Sequence, residues 1–167
     1  ASQSFLKLGE VKASEIMTPS TVVATAKASM TLDEFYEEGD ERLHAYSRIP
    51  LYDDEEEYIL GYVLRAEVLE ELSEDHFGRT LSELVRPILT FNENEVVANI
   101  WENMLAKNEH ISIIVDEYGS MRGIVTMEDV IETMLGVEIV DESDETVDMQ
   151  DMAREKWQQQ QQQHEQI

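Results

Sequence analysis

One passage of this chain is written twice. Gly61-Tyr62-Val63-Leu64-Arg65-Ala66-Glu67-Val68-Leu69 returns 62 residues later as Gly123-Ile124-Val125-Thr126-Met127-Glu128-Asp129-Val130-Ile131. A second pair, Ser14-Glu15-Ile16-Met17-Thr18-Pro19 and Ser82-Glu83-Leu84-Val85-Arg86-Pro87, is separated by 68 residues. The features keep the same order in both halves, and the offsets differ only through loop length. Self-similarity on this scale specifies two copies of one supersecondary unit packed together, with a groove between them. Each copy alone is about sixty residues, a size at which a single core is marginal, so pairing of the halves is expected to be obligatory. Function is expected in that groove, and where the copies differ.

The chain has 167 residues, 42% of them hydrophobic, enough for one domain or for two small halves sharing a core. Twelve basic residues against 37 acidic ones leave a formal net charge of −25. A nucleic-acid binder neutralises phosphates with Lys and Arg, so nucleic acid is not an expected partner. Docking on an anionic membrane surface is disfavoured for the same reason. The acid fits a solvated surface, and it fits attraction of divalent cations. There is no cysteine, hence no disulfide framework and no thiolate metal site. No apolar run approaches the roughly 20 residues that span a bilayer, and no signal peptide is visible. The first residue is not methionine, which leaves room for a fragment of a longer membrane protein.

The pattern predicts strand, helix, strand, strand, helix in each half. In the first, Val22-Val23-Ala24 reads as a short strand. Thr31 precedes a helix that carries Leu32, Phe35 and Tyr36 and runs to about residue 43, with Asp33 and Glu34 in the first turn where the helix dipole favours acid. Residues 48–52 and 58–63 form a hairpin around the acidic turn at 53–57. A helix follows from residue 65 to about 72. In the second half, residues 88–91 are a strand, and Asn94-Glu95 opens a helix with Val97, Ile100, Trp101, Met104 and Leu105 at helical spacing. Ile111-Ser112-Ile113-Ile114-Val115 has the character of a strand buried on both faces. A turn at 116–120 leads into the returning strand at 123–125, then a helix from residue 127 to about 135, with Gly136 as its stop. The predicted organisation is a lead-in over 1–13, a first copy over 14–72, a linker over 73–79, a second copy over 80–137 and a tail over 138–167. That tail is acidic and holds Trp157 and the glutamine run 158–163, with too little apolar material to pack on its own.

Three segments carry a family resemblance. They are Glu15-Ile16-Met17-Thr18-Pro19, Ser47-Arg48-Ile49-Pro50-Leu51-Tyr52, and Ile114-Val115-Asp116-Glu117-Tyr118-Gly119 followed by Gly123-Ile124-Val125-Thr126-Met127-Glu128-Asp129-Val130. With the duplicated β-α-β-β-α unit, they resemble a tandem CBS domain pair (a Bateman module) of the CorC/CNNM family of magnesium and cobalt transport proteins. The likeness covers about residues 12 to 137. It implies an α/β (α+β) fold of two pseudo-twofold-related repeats and a regulatory, non-catalytic module that binds an adenine nucleotide, AMP or ATP. Magnesium would ride on the phosphates. The resemblance further implies a homodimer on the cytoplasmic side, attached to a membrane transport domain in the inner membrane of a bacterium.

Thr126-Met127-Glu128-Asp129 carries two readings. Thr-x-x-Asp at a helix start is a capping box, in which the hydroxyl and the carboxylate satisfy backbone N–H groups. The same helix start, with its unpaired N–H groups and partial positive charge, suits phosphate. The resemblance assigns Thr126 to a phosphate oxygen and Asp129 to the ribose hydroxyls. The matching positions in the first copy are Leu64 and Glu67. Leucine cannot bind phosphate, so one occupied site per chain is expected. The resemblance places adenine against Thr21, Val22 and Val23, together with Ser47, Arg48, Ile49 and Pro50; Ile124 is a further expected nucleotide-binding residue. Val22, Val23 and Ile49 read equally as core residues, and Arg48 as a partner for phosphate or as a surface ion pair.

The acidic loop at 53–57 lacks the spacing and glycine of an EF-hand. His44, His76, His110 and His164 show no metal-ligand spacing, and no protein metal ligand is expected. There is no nucleophile–base–acid pattern and no glycine-rich phosphate loop, so an enzyme is not expected. Two other readings stay open: a ligand-free structural dimerisation module, and a divalent-cation sensor using the acidic surface.

Overall fold

The computed structural model describes residues 8–37 and 41–142. Residues 1–7 of the expected lead-in, and the tail from residue 143 with Trp157 and the glutamine run, lie outside the described residues. The first half contains α1 (Ala13–Ile16), β1 (Thr18–Pro19), a 3-10 turn (Ser20–Val22), β2 (Ala26–Lys27), α2 (Leu32–Glu37), a second 3-10 turn (Glu41–Ala45), β3 (Arg48–Tyr52), β4 (Ile59–Leu64) and α3 (Arg65–Ser73). The second contains a 3-10 turn (Leu81–Leu84), β5 (Leu89–Asn92), α4 (Val97–Ala106), β6 (Ile111–Val115), β7 (Met121–Thr126) and α5 (Met127–Glu142). There are two sheets, ordered β2-β3-β4 and β1-β7-β6-β5. In each, a short strand runs parallel to the first hairpin strand: β2 on β3 and β5 on β6.

Four expected elements have different limits. No strand forms at 22–24: Val22 ends a 3-10 turn, closed by the Val23 N–H on the Ser20 carbonyl at 3.2 Å after the fixed backbone of Pro19. The strand itself forms at Ala26–Lys27. α2 is described to Glu37, and Glu41–Ala45, which overlaps the end of the expected helix, is a 3-10 turn. α4 begins at Val97 because Asn94 is drawn into a turn, its N–H bonded to the Asn92 side chain at 2.9 Å. α5 passes through Gly136 to Glu142. A glycine stops a helix when it turns left-handed, and among the described residues positive φ is confined to Asp75, Asn108 and Gly119.

Each sheet turns one face to its own helices. Ile49, Leu51 and Val63 meet Leu32, Phe35 and Val68 in the first core. Ile114 and Val125 meet Val97, Ile100, Met104 and Val130 in the second. Neither core is made by one copy alone. Leu81, with Leu84, completes the first core from the start of the second copy. Leu8, Ala13 and Ile16 complete the second from the start of the first. Backbone bonds follow the same exchange: the Leu32 N–H donates to the Arg79 carbonyl and the Val97 N–H to the Val11 carbonyl, both at 2.8 Å. Helix starts leave such donors unpaired, so each copy satisfies the other's.

The strands exchange too. β1 pairs antiparallel with β7, Thr18 against Ile124 and Pro19 against Gly123. In the other copy Arg86 bridges to Tyr62, the two residues trading N–H···O bonds of 2.7 and 3.0 Å. Glycine makes both crossings possible. A β-carbon on Gly123 would stand 2.3 Å from the Thr18 carbonyl oxygen, and one on Gly61 would stand 2.3 Å from that of Arg86. The linker is tied down separately. The Glu71 carboxylate accepts from His76 Nδ1 at 2.6 Å and from Arg79 Nη1 at 2.7 Å, and these partners hold its pKa below the usual carboxylate range.

Two outcomes follow. Gly61→Ala and Gly123→Ala each lower unfolding free energy by roughly 1–3 kcal/mol through overpacking, whereas Gly78→Ala, which meets nothing within 4 Å, shifts it by no more than about 0.5 kcal/mol; urea titration of the three variants checks this. Because the folded-state pKa of Glu71 is depressed, its contribution is present above the unfolded value of about 4.3 and is lost as pH falls through the lower folded value. The melting-temperature gap between the wild type and Glu71→Gln is therefore open at neutral pH and narrows as pH falls below the unfolded value of about 4.3; calorimetry from pH 7 to 3 measures it.

Candidate functional site

Side chains alternate across a strand, so the hairpin residues that miss the cores point to the opposite faces of the sheets. On β3 and β4 these are Arg48, Pro50, Tyr62 and Leu64; on β6 and β7 they are Ile111, Ile113, Ile124 and Thr126. Ile111, Ile113 and Tyr62 are almost fully buried yet belong to neither core. They line a seam between the halves. The Tyr62 hydroxyl crosses it, donating to Glu109 Oε2 at 3.0 Å. Burial, followed by that carboxylate, raises the tyrosine pKa. A second crossing joins the hairpin ends, where the Met121 N–H donates to the Glu57 carbonyl at 2.7 Å.

The ten residues expected at the site fall into two groups. Thr21 and Val22 lie in the 3-10 turn that packs on β7, beside Ile124, and Val23 follows directly. β7 ends at Thr126, where α5 begins with Asp129 in its first turn. Thr21 and Val22 are exposed, while Val23, Ile124, Thr126 and Asp129 are half-buried. In this group the lead segment of the first copy meets β7 and the helix start of the second.

The other group, Ser47, Arg48, Ile49 and Pro50, lies on the first sheet. Arg48 pairs with Leu64, and the Ser47 carbonyl accepts from Arg65 N–H at 2.9 Å, so these residues border the start of α3. Ile49 is fully buried in the first core and Pro50 is buried beside it. Arg48 is half-buried, and its Nε is shielded from solvent with no hydrogen-bond partner. A shielded N–H without an acceptor is costly, and an anion on the seam would satisfy it.

The capping box at α5 is formed. Asp129 Oδ2 accepts from Thr126 N–H at 2.9 Å, and Thr126 Oγ1 accepts from Asp129 N–H at 3.2 Å. In the second bond the threonine oxygen is the acceptor, so the Thr126 hydroxyl keeps its proton to donate.

The matching start of α3 differs. Leu64 makes no side-chain cap. Glu67, at the position of Asp129, is instead held by Arg86, whose Nε lies 2.6 Å from Oε1 and whose Nη2 contacts the same oxygen. That pair keeps the guanidinium pKa above its usual value. Sequence reasoning missed Arg86, Tyr62 and Glu109. A signal for Arg86 was present: it replaces Thr18 in an otherwise matched repeat, 68 residues on.

Two other features lie apart from this seam. Glu71, Glu74 and His76 bring donor atoms within 4.8 Å of one another, a grouping that spacing along the chain did not show. Arg79 sits on the Glu71 oxygen that a cation would need, so the group ties the linker. A cleft of about 390 Å3 at the far end of the second sheet is lined by Asn92, Glu93, Asp116, Tyr118 and Arg122. It contains none of the expected site residues, and the Arg122–Glu93 ion pair occupies it.

A CBS domain family model matches residues 13–74 and 81–136. The chain is 32% identical over 154 residues to UPF0053 protein sll1254 of Synechocystis sp., covering 92% of this chain and 44% of that protein. It is 27% identical over 157 residues to the magnesium and cobalt efflux protein CorC of Salmonella typhimurium, covering 93% of this chain and 53% of that one. The chain thus spans about half the length of the curated relatives it matches. Among solved structures, the CBS domain of a bacterial CNNM/CorC family Mg2+ transporter in complex with ATP aligns with a TM-score of 0.73 and 31% identity, over 80% of this chain and 93% of that chain. With two matched motifs, exchanged cores and this likeness, the chain belongs to the CBS domain family as a tandem CBS pair of the CNNM/CorC type.

Proposed function

We propose that this module is a regulatory sensor of adenine nucleotide, and that a nucleotide lies on the seam with its sugar and phosphates at the start of α5. The observation that carries the reading is the formed Thr126–Asp129 box at a half-buried helix start facing the seam. Helix N–H groups and dipole favour phosphate there, with Thr126 donating to a phosphate oxygen. Asp129 accepts from the ribose hydroxyls. Thr21, Val22, Val23 and Ile124 contact the base. Ser47, Arg48 and Pro50 close the site from the other sheet, with the Arg48 guanidinium on the phosphate tail. The ATP complex of the CNNM/CorC domain supports the ligand class. Magnesium would be held through the phosphates.

A ligand held by both halves favours one relative setting of the two sheets, and the equilibrium shifts by its difference in affinity for the two settings. The module acts as a homodimer on the cytoplasmic side of a bacterial inner membrane and passes that setting to a transport domain of the same longer protein. The link to a transport domain rests on relatives named for magnesium and cobalt efflux that are about twice as long. Among the described residues no helix is long and apolar enough to cross a membrane. No reaction is proposed.

Thermal shift with AMP, ADP and ATP, each with and without magnesium, tests the reading. Ligand that binds the folded state raises the melting temperature by mass action, by about 2.7 kcal/mol of stability at one hundred times Kd. Asp129→Asn keeps an acceptor for the cap and removes the charge, so it weakens binding roughly 10- to 100-fold with little change in the unliganded melting temperature. No shift with any nucleotide sinks the proposal. A shift with magnesium alone favours the cation sensor instead.

A further inference from the structure

The repeat sets two half-sites side by side, and their occupancy can be compared atom by atom. At the first, β1 brings Thr18 against β7, and α5 opens with Thr126 and Asp129. At the second, the equivalent strand brings Arg86 against Tyr62, and α3 opens with Leu64 and Glu67. The backbone crossing is alike in both, down to the glycine beneath it. Its side chain is not. From its paired backbone at Tyr62, Arg86 reaches Glu67 in the first turn of α3, so its side chain runs past the level of Leu64. The guanidinium takes the carboxylate that corresponds to the one proposed to hold ribose. Tyr62 and Glu109, joined by their own hydrogen bond, lie near it.

We propose that Arg86 is the resident occupant of the second half-site, a specificity-determining residue that confines nucleotide to one place per chain. Leu64 removes the phosphate-binding hydroxyl, and Arg86 independently closes the sugar position. The inference rests on the nucleotide reading of the first half-site.

Titration calorimetry of the 167-residue chain with ATP and magnesium tests it. The wild type takes one nucleotide per chain. Leu64→Thr with Glu67→Asp restores the first copy's residue types but keeps Arg86, and stoichiometry stays at one. Adding Arg86→Thr, the residue type at the equivalent crossing, raises it to two. A double variant that already binds two overturns the proposal, as does a folded triple variant that still binds one. A wild type that binds none refutes the nucleotide reading, and a triple variant that fails to melt cooperatively is uninformative for stoichiometry. In both cases a second measurement decides. The chain has no cysteine, so Leu64→Cys supplies a single thiol beneath Arg86. Modification by N-ethylmaleimide becomes several-fold faster when Arg86→Ala is added. Loss of a nearby cation by itself disfavours the thiolate and slows the reaction, so acceleration reports access. An unchanged or slower rate overturns the proposal.

Discussion

The carbonyl oxygens of Thr18 and Arg86 stand where a β-carbon would sit on Gly123 and Gly61. Everything else in the molecule is arranged around these two close approaches. They let the lead strand of each copy cross onto the returning strand of the other. The chain just before each crossing then fills the other copy's core: Ala13 and Ile16 in one direction, Leu81 in the other. A unit of about sixty residues has too much surface for its volume to hold together well alone. The exchange removes that difficulty, because neither core exists without the other copy. It also fixes the register of the halves, since a slip along β7 would drive Thr18 into a residue that has a side chain.

The same arrangement puts the candidate site on a seam. The face of each sheet turned from its helices is not solvent-facing; Ile111, Ile113 and Tyr62 are buried there. Besides the exchanged lead segments, the seam is crossed by polar contacts from Tyr62 to Glu109 and from Met121 to Glu57. In a chain with 25 more acidic than basic residues, arginines near the seam have a large effect on where an anion can go. Arg48 has a shielded N–H without an acceptor, whereas Arg86 is committed to Glu67.

Much of this was legible in residue order. The hairpins, the α3 start and the apolar face of α4 follow from period and turn chemistry, which depend on neighbours along the chain. The box at Thr126 and Asp129 was legible for the same reason: its atoms lie three residues apart. The strand expected at 22–24 was not recoverable, because β propensity in Val22 and Val23 yields to the fixed backbone of Pro19 and the tight turn after it. Gly136 reads as a stop, but a glycine ends a helix only if the chain leaves there, and α5 continues. Ile49 was open between ligand wall and core, since an apolar residue on a strand looks the same in both; its register with Val63 puts it in the core.

By itself the sequence determined the number of copies, the order of their elements, the chemistry available at each helix start and the inequality of Leu64 and Thr126. These are local or repeated properties, carried by spacing. Only the tertiary structure decided that the copies exchange their lead segments, that Gly61 and Gly123 are needed for that exchange, and that Arg86 lies on Glu67. Such contacts join residues 19 to more than 100 positions apart. No periodicity encodes them, because they depend on which surfaces remain unpaired once each copy has folded.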